Sequence, residues 1–314
     1  MGTPDFAVPS LLSLHKAGFE IKAVVTQPDK QRGRGKKVSF TPVKAAALEL
    51  NLPVLQPEKM KDPEFLSALE NYCADLFVVV AFRILPSKVL KIPPVGSINL
   101  HASLLPRYRG AAPINHALFN GEKETGATVF FLNRGVDTGN IISSETVTIG
   151  YDDNYGTLYD KLAVKGAKLL SDCVRNIFDG NYSARPQQEG KFPSAPKILP
   201  DDLVIDWNLS AEHIRNRIRG LAPKPGAFTT LEGRRIKIIA ADFESGGQST
   251  SPGTVIGTDR KEGTITVACG MGSLIIKTIQ PESKPVTGVK DFLNGNRLET
   301  GAVFSRYSPD PKKI

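Results

Sequence analysis

Along the first half of the chain, short apolar runs alternate with segments whose apolar residues recur every three to four positions. Leu11, Leu12 and Leu14 predict the inward face of a helix that Gly18 ends. Residues 21–25 then predict a short buried strand. The same rhythm predicts helices over 42–50 and 63–72, with a strand over 53–55 between them. Leu76-Phe77-Val78-Val79-Val80 is a continuous apolar run within a strand predicted over 74–81, of the kind covered on both faces. Strands are expected again over 125–132 and 141–149. A long helix is expected over 157–178, with Leu158, Leu162, Leu169, Leu170, Val174 and Ile177 as core. Alternating helix and strand predicts an α/β fold with a doubly wound, mostly parallel sheet. In such folds ligands bind beyond the carboxyl ends of the strands.

One strand carries candidate chemistry. In Ser97-Ile98-Asn99-Leu100-His101, Ile98 and Leu100 alternate with Asn99 and His101. A period of two places the amide and the imidazole on one face, near the strand's end. The chain then continues as Ala102-Ser103-Leu104-Leu105-Pro106-Arg107-Tyr108-Arg109-Gly110, a loop by its Pro and Gly. A short helix is expected over 112–119, with Pro113 in its first turn. An amide can donate to a developing oxyanion, and an imidazole exchanges protons near neutral pH. Taken alone, such a pair also fits an ordinary hydrogen-bonded sheet edge. About thirty residues on, Gly135-Val136-Asp137-Thr138-Gly139 sets a carboxylate between glycines.

Asn99-x-His101, the Ser103-Leu104-Leu105-Pro106 run with Gly110, and the glycine-flanked Asp137 together resemble the signature of the folate-dependent formyltransferases. The longer text around Tyr108-Arg109-Gly110-Ala111-Ala112-Pro113-Ile114-Asn115 is most similar to the branch acting on methionine carried by tRNA. The resemblance implies a Rossmann-like catalytic domain and a formyl donor, 10-formyltetrahydrofolate, released as tetrahydrofolate. The acceptor it implies is the free amine of methionine on initiator tRNA. Asn99 would donate to the oxyanion, His101 would share that role, and Asp137 would orient His101 or accept the amine proton. Ser103, Leu104, Leu105 and Pro106 match the family's folate-contacting run. Phe82, Ile84 and Leu85 fall in the wall that holds the pterin. There the family commonly has Tyr-Gly, where this chain has Phe82-Arg83, so a changed loop geometry is expected. In the family, Gly2-Thr3-Pro4-Asp5-Phe6-Ala7 follows directly after a first, central strand. The present sequence starts at Met1, and two facing sheet edges are therefore expected.

Charge sharpens this picture. The 314-residue chain carries a net charge of +8. Lys30, Arg32, Arg34, Lys36 and Lys37 place five positive charges in eight residues, with Gln31, Gly33 and Gly35 between them. Most such runs are solvated surface. The family's matching loop reaches toward the tRNA acceptor stem, and here phosphate contact is expected from all five. Residues 180–200, with Pro186, Gln187, Gln188, Gly190 and Pro193, predict a linker after a catalytic domain over 1–179. Residues 201–314 then predict a helix over 211–219 capped by Ser210. Five short strands follow, over 227–231, 236–240, 254–257, 264–268 and 274–278. That pattern suits a small β-barrel of the oligonucleotide-binding kind. From Asn181 onward nineteen Lys and Arg stand against fourteen Asp and Glu. Within this basic half, Arg215 and Arg219 are expected to contact tRNA. Arg219-Gly220-Leu221-x-Pro223-x-Pro225-Gly226-Ala227 resembles the second-domain motif of the same transferases.

The remaining composition excludes other classes. Three scattered cysteines, Cys73, Cys173 and Cys269, form neither a disulfide framework nor a zinc pattern. No apolar run reaches membrane-spanning length, and no secretory leader is visible. A cytoplasmic monomer without a metal is expected. His15, His116 and His213 are expected at the surface or in packing. The rival enzyme reading is a formyltransferase for a small amine, a sugar nucleotide or glycinamide ribonucleotide. A further rival is an RNA-binding protein with an inactive transferase half.

Overall fold

A computed structural model describes residues 1–32, 37–247 and 250–306. The first half forms α1 (Val8–Lys16), β1 (Val24–Val25), β2 (Lys30–Arg32), β3 (Lys37–Ser39), α2 (Pro42–Glu49) and β4 (Val54–Leu55). It continues with α3 (Pro63–Asn71), β5 (Leu76–Val80), α4 (Ser87–Leu90), β6 (Gly96–His101), β7 (Arg109–Gly110) and α5 (Pro113–Phe119). β8 (Glu124–Phe131), β9 (Ile141–Thr148), α6 (Tyr155–Phe178) and β10 (Ser194–Ala195) complete it. Local chemistry sets several starts. Thr41 Oγ1 accepts the Lys44 N–H at 3.1 Å to cap α2, and Asp62 caps α3 through the Glu64 N–H. In α1, Leu14 is buried while Leu12 is 45% exposed, so the inward face is narrower than the leucine spacing suggested.

The chain divides into two compact units. The first comprises residues 1–113, 124–149 and 159–195. Its β1 pairs in parallel with β4, and β5 pairs in parallel with β6, while β8 and β9 extend the latter sheet antiparallel. Val25, Phe65, Leu69, Phe77, Val79, Leu85 and Val89 form one buried cluster on this frame. Among the described residues, Met1 and Gly2 bridge the edges of β1 and β5. The Gly2 N–H donates to Val25 O at 3.0 Å and the Val80 N–H to Met1 O at 2.9 Å. Beside that bridge lies a largely apolar cavity of about 470 Å³, with Leu14, Ile21, Ala23, Leu76, Val78 and Phe178 in its lining. The two edges expected from the sequence face each other across it.

The second unit comprises residues 114–123, 150–158 and 196–314. α7 (Ala211–Leu221) is capped by Ser210, whose Oγ accepts the His213 N–H at 3.3 Å. It is followed by β11 (Ala227–Leu231), β12 (Arg234–Glu244), β13 (Val255–Asp259), β14 (Thr264–Ala268) and β15 (Ser273–Pro281). β16 (Thr287–Gly288), α8 (Val289–Gly295) and β17 (Phe304–Ser305) follow. The strands form one antiparallel sheet in the order β13-β14-β15-β12-β11-β17, with β16 against β15. Register shifts between Ile238 and Ala241 interrupt the long β12, and such irregularities bend a sheet. The result is a curled half-barrel, with Ile214, Ile218 and Leu221 of α7 buried against Ile238, Leu274 and Ile276. Of residues 180–200, expected as linker, 180–195 group with the first unit and 196–200 with the second.

Candidate functional site

β6 displays its two polar side chains as the alternation requires. Ile98 and Leu100 are buried, and Asn99 lies opposite Val79 on β5 and Phe130 on β8. Parallel pairing of Val80 with Leu100 brings the carboxyl ends of β5 and β6 out on the same side. His101 is buried, and its Nε2 lies 2.8 Å from the Tyr108 carbonyl. A carbonyl only accepts, so Nε2 carries the hydrogen. This leaves Nδ1 for proton exchange, and Nδ1 sits 3.7 Å from Asp137 Oδ2. The same Oδ2 accepts the Gly110 N–H at 2.9 Å. Among the described residues nothing hydrogen-bonds to the Asn99 amide, which is half-buried and can donate to a ligand.

The loop after β6 is held from within the sheet. Thr128, fully buried on β8 opposite His101, donates to Ser103 O at 2.6 Å and accepts the Leu105 N–H at 3.2 Å. Ser103 Oγ donates to Arg107 O at 2.7 Å, closing the loop on itself. β10 then pairs with β7, and the Ala112 N–H donates to Ala195 O at 3.1 Å. At Gly110, φ is +127° and an added Cβ would lie 2.3 Å from Ala195 O. At Gly139, after the Asp137 turn, a Cβ would lie 1.6 Å from Phe131 O. Gly139→Ala must push backbone apart, and is expected to cost about 1–3 kcal/mol of stability. Urea denaturation measures this, and an unchanged midpoint would contradict it.

The pterin-wall residues divide. Phe82 is half-buried and Ile84 is 81% exposed, whereas Leu85 is taken into the core with Val25, Met60 and Phe65. Ser103 and Leu105 are likewise buried, and Leu104 and Pro106 are half-buried. A positive φ falls on Ala81 at +46°, and the Arg83 guanidinium donates to the carbonyls of Pro57 and Glu58.

Part of the basic run lies within the described residues. Its arms are the antiparallel hairpin of β2 and β3, pairing Lys30 with Ser39 and Arg32 with Lys37, rather than an irregular loop. Lys30 is exposed, and Arg34 and Lys36 lie outside the described residues. At the hairpin's base Lys44 Nζ donates to Asp29 Oδ2 at 2.5 Å and Gln56 Nε2 to Asp29 Oδ1 at 2.9 Å. These bonds hold the Asp29 carboxyl below its ordinary pKa. Arg215 and Arg219 need correction. Both are buried, with Arg215 donating to Tyr151 O at 2.6 Å and Arg219 Nε to Asn216 Oδ1 at 2.9 Å. Burial, with Arg215 nearby, lowers the Arg219 pKa. Their guanidiniums are engaged with groups of the second unit, so the exposed surface charge expected at these two positions is not seen.

Burial pushes the Cys173 thiol up to about 11 and Cys269 up to about 12, which removes both as nucleophiles. His116 is an ordinary packing residue, with Nε2 3.0 Å from Pro196 O. Among the described residues no group of three or more His, Cys, Asp or Glu side chains could hold a metal. None of their helices is long and apolar enough to cross a membrane.

Two family patterns match in tandem: Formyl transferase over residues 1–174, and Formyl transferase, C-terminal domain, over 197–297. Among curated proteins, methionyl-tRNA formyltransferase of Caldanaerobacter subterraneus subsp. tengcongensis is 44% identical over 306 residues, covering 97% of this chain and 98% of its own. That of Bacillus subtilis is 43% identical, covering 97% and 96%. Among solved structures, an N-formyltransferase from Helicobacter canadensis in complex with folinic acid and dTDP-3-aminofucose shares the fold. Its TM-score is 0.63 at 20% identity, over 88% of this chain and 97% of that one. HypX from Aquifex aeolicus in complex with tetrahydrofolic acid matches at a TM-score of 0.55 and 18% identity, over 83% of this chain and 47% of that one. Identity above forty per cent along nearly the whole of both chains, with both domains in order, places this chain in the formyl transferase family, among the methionyl-tRNA formyltransferases.

Proposed function

We propose that this chain transfers the formyl group of 10-formyltetrahydrofolate to the free amine of methionine on initiator methionyl-tRNA. One conjunction carries the reading. His101 and Asp137 lie 3.7 Å apart at the end of β6, in a chain that matches methionyl-tRNA formyltransferases over nearly all its length. The donor supplies an acyl carbon whose oxygen gains negative charge as the amine attacks. The Asn99 amide donates to that oxygen. His101 takes the amine proton at Nδ1, since Nε2 is committed to the Tyr108 carbonyl. It returns that proton to the leaving nitrogen of tetrahydrofolate as the donor's bond to the formyl carbon breaks, and the Asp137 carboxylate balances the imidazolium. Phe82, Ile84 and the loop from Ser103 to Pro106 offer apolar surface and backbone polar groups to a flat pterin. Lys30, Arg32, Arg34, Lys36 and Lys37 meet the tRNA phosphates. The protein works as a cytoplasmic monomer.

The test is to supply 10-formyltetrahydrofolate with charged initiator methionyl-tRNA, charged elongator methionyl-tRNA or small amine acceptors. Formylation confined to the initiator species is the expected result. Transfer to a sugar nucleotide or glycinamide ribonucleotide would overturn the assigned acceptor.

A further inference from the structure

A single side-chain amide ties together the two segments that hold the Asp137 carboxylate. Gln187 Oε1 accepts from Arg109 Nε at 2.9 Å and from Arg109 Nη2 at 2.5 Å. Its Nε2 donates to the carbonyls of Asp137 at 2.8 Å and Gly139 at 2.9 Å. Both N–H bonds and both lone pairs of the amide are thereby used. Each partner bears on the site. Arg109 directly precedes Gly110, whose N–H donates to Asp137 Oδ2. The two carbonyls bracket Thr138, in a turn where Asp137 itself sits at φ +53°. A residue with a Cβ keeps that conformation only where its surroundings hold it. Asn133 holds the other side of the turn, where its Oδ1 accepts from the Gly135 N–H and Thr138 Oγ1, each at 2.9 Å. Gln187 thus joins the turn to the loop carrying Gly110 through Arg109, beside the direct bond from the Gly110 N–H to Asp137 Oδ2.

We propose that Gln187 is a positioning residue for formyl transfer, setting the place of the Asp137 carboxylate relative to His101. This rests on Asp137 acting in the reaction. A polar side chain half-buried between two loops also has a plainer use, in stability alone. The two roles separate in kinetics. Gln187→Ala removes the amide. Gln187→Glu keeps its shape and the Arg109 contact but turns an oxygen toward two carbonyls.

Both variants are compared with the wild type and with Asp137→Asn, which keeps an acceptor for the Gly110 N–H. Turnover of each Gln187 variant is expected to fall by about ten- to a hundredfold, as a small misplacement of a reacting group does. KM for the formyl donor and for methionyl-tRNA should stay within about twofold. Adding Gln187→Ala to Asp137→Asn should lower kcat no further, because groups acting as a unit are not additive. Should Gln187→Ala fail to fold, Gln187→Glu carries the same comparison. An unchanged kcat, a loss confined to KM, or a full additional loss on top of Asp137→Asn would overturn the positioning role. Wild-type turnover in Asp137→Asn alone would overturn the catalytic reading of Asp137, and this role with it.

Discussion

His101→Ala and Asp137→Asn are each expected to lower kcat for methionyl-tRNA formylation by about a hundredfold or more, the usual reach of general acid–base groups. Asn99→Ala should lose about 10²–10³-fold, the effect of removing one oxyanion donor. The geometry makes the three losses different in kind. His101 has one nitrogen bonded to the Tyr108 carbonyl and the other 3.7 Å from Asp137, so its ring is oriented even before substrate arrives. Asp137→Asn retains an oxygen for the Gly110 N–H and removes only the negative charge. A large loss there isolates the electrostatic part of the role. Asn99 is half-buried on the same strand face and does not hold the loop, so its removal should leave the fold intact. Stopped assays of formyl-methionyl-tRNA formation under saturating substrates measure all three. Near-wild-type rates for His101→Ala or Asp137→Asn would reject the pair as the proton-handling group.

Replacing Lys30, Arg32, Arg34, Lys36 and Lys37 by Gln is expected to reduce kcat/KM for methionyl-tRNA by about ten- to a hundredfold at moderate salt. Cations that neutralise phosphates release counterions, so each lost contact should also lower the salt slope by about one. The KM for the formyl donor should not change. The physical basis is the hairpin, in which β2 and β3 pair through Lys30–Ser39 and Arg32–Lys37, with the Lys44–Asp29–Gln56 bonds at its base. The paired backbone of β2 and β3 carries the exposed Lys30 at a lower entropic cost than a free coil would. Equal losses for both substrates would reject the hairpin as a tRNA element. A wild-type salt slope would do the same.

Local pattern determined much of this protein. The 3.6 and 2.0 periods marked the helices, the β5 and β6 strands and the common face of Asn99 and His101, because those periods are properties of the backbone itself. The run from Ser103 to Pro106, the glycine-flanked Asp137 and the Arg219–Ala227 motif identified the family. What the pattern did not contain was any partner distant along the chain. Gln187 read as one polar residue in a proline-rich linker, yet its amide reaches Asp137 and Gly139 some fifty positions earlier. Thr128 read as a strand residue, and only sheet pairing sets it opposite His101 to hold the Ser103 loop. Arg215 and Arg219 read as surface charge because a basic side chain reveals nothing of the carbonyl or amide waiting for it. The tertiary structure buries both, with Tyr151 O accepting from Arg215 and Asn216 Oδ1 from Arg219. Leu85 was assigned to a ligand wall and belongs to the core, a difference of facing that one apolar residue in a loop cannot signal. Sequence determined which groups exist and which share a face. Folding decided which of them are satisfied internally and which remain for substrate.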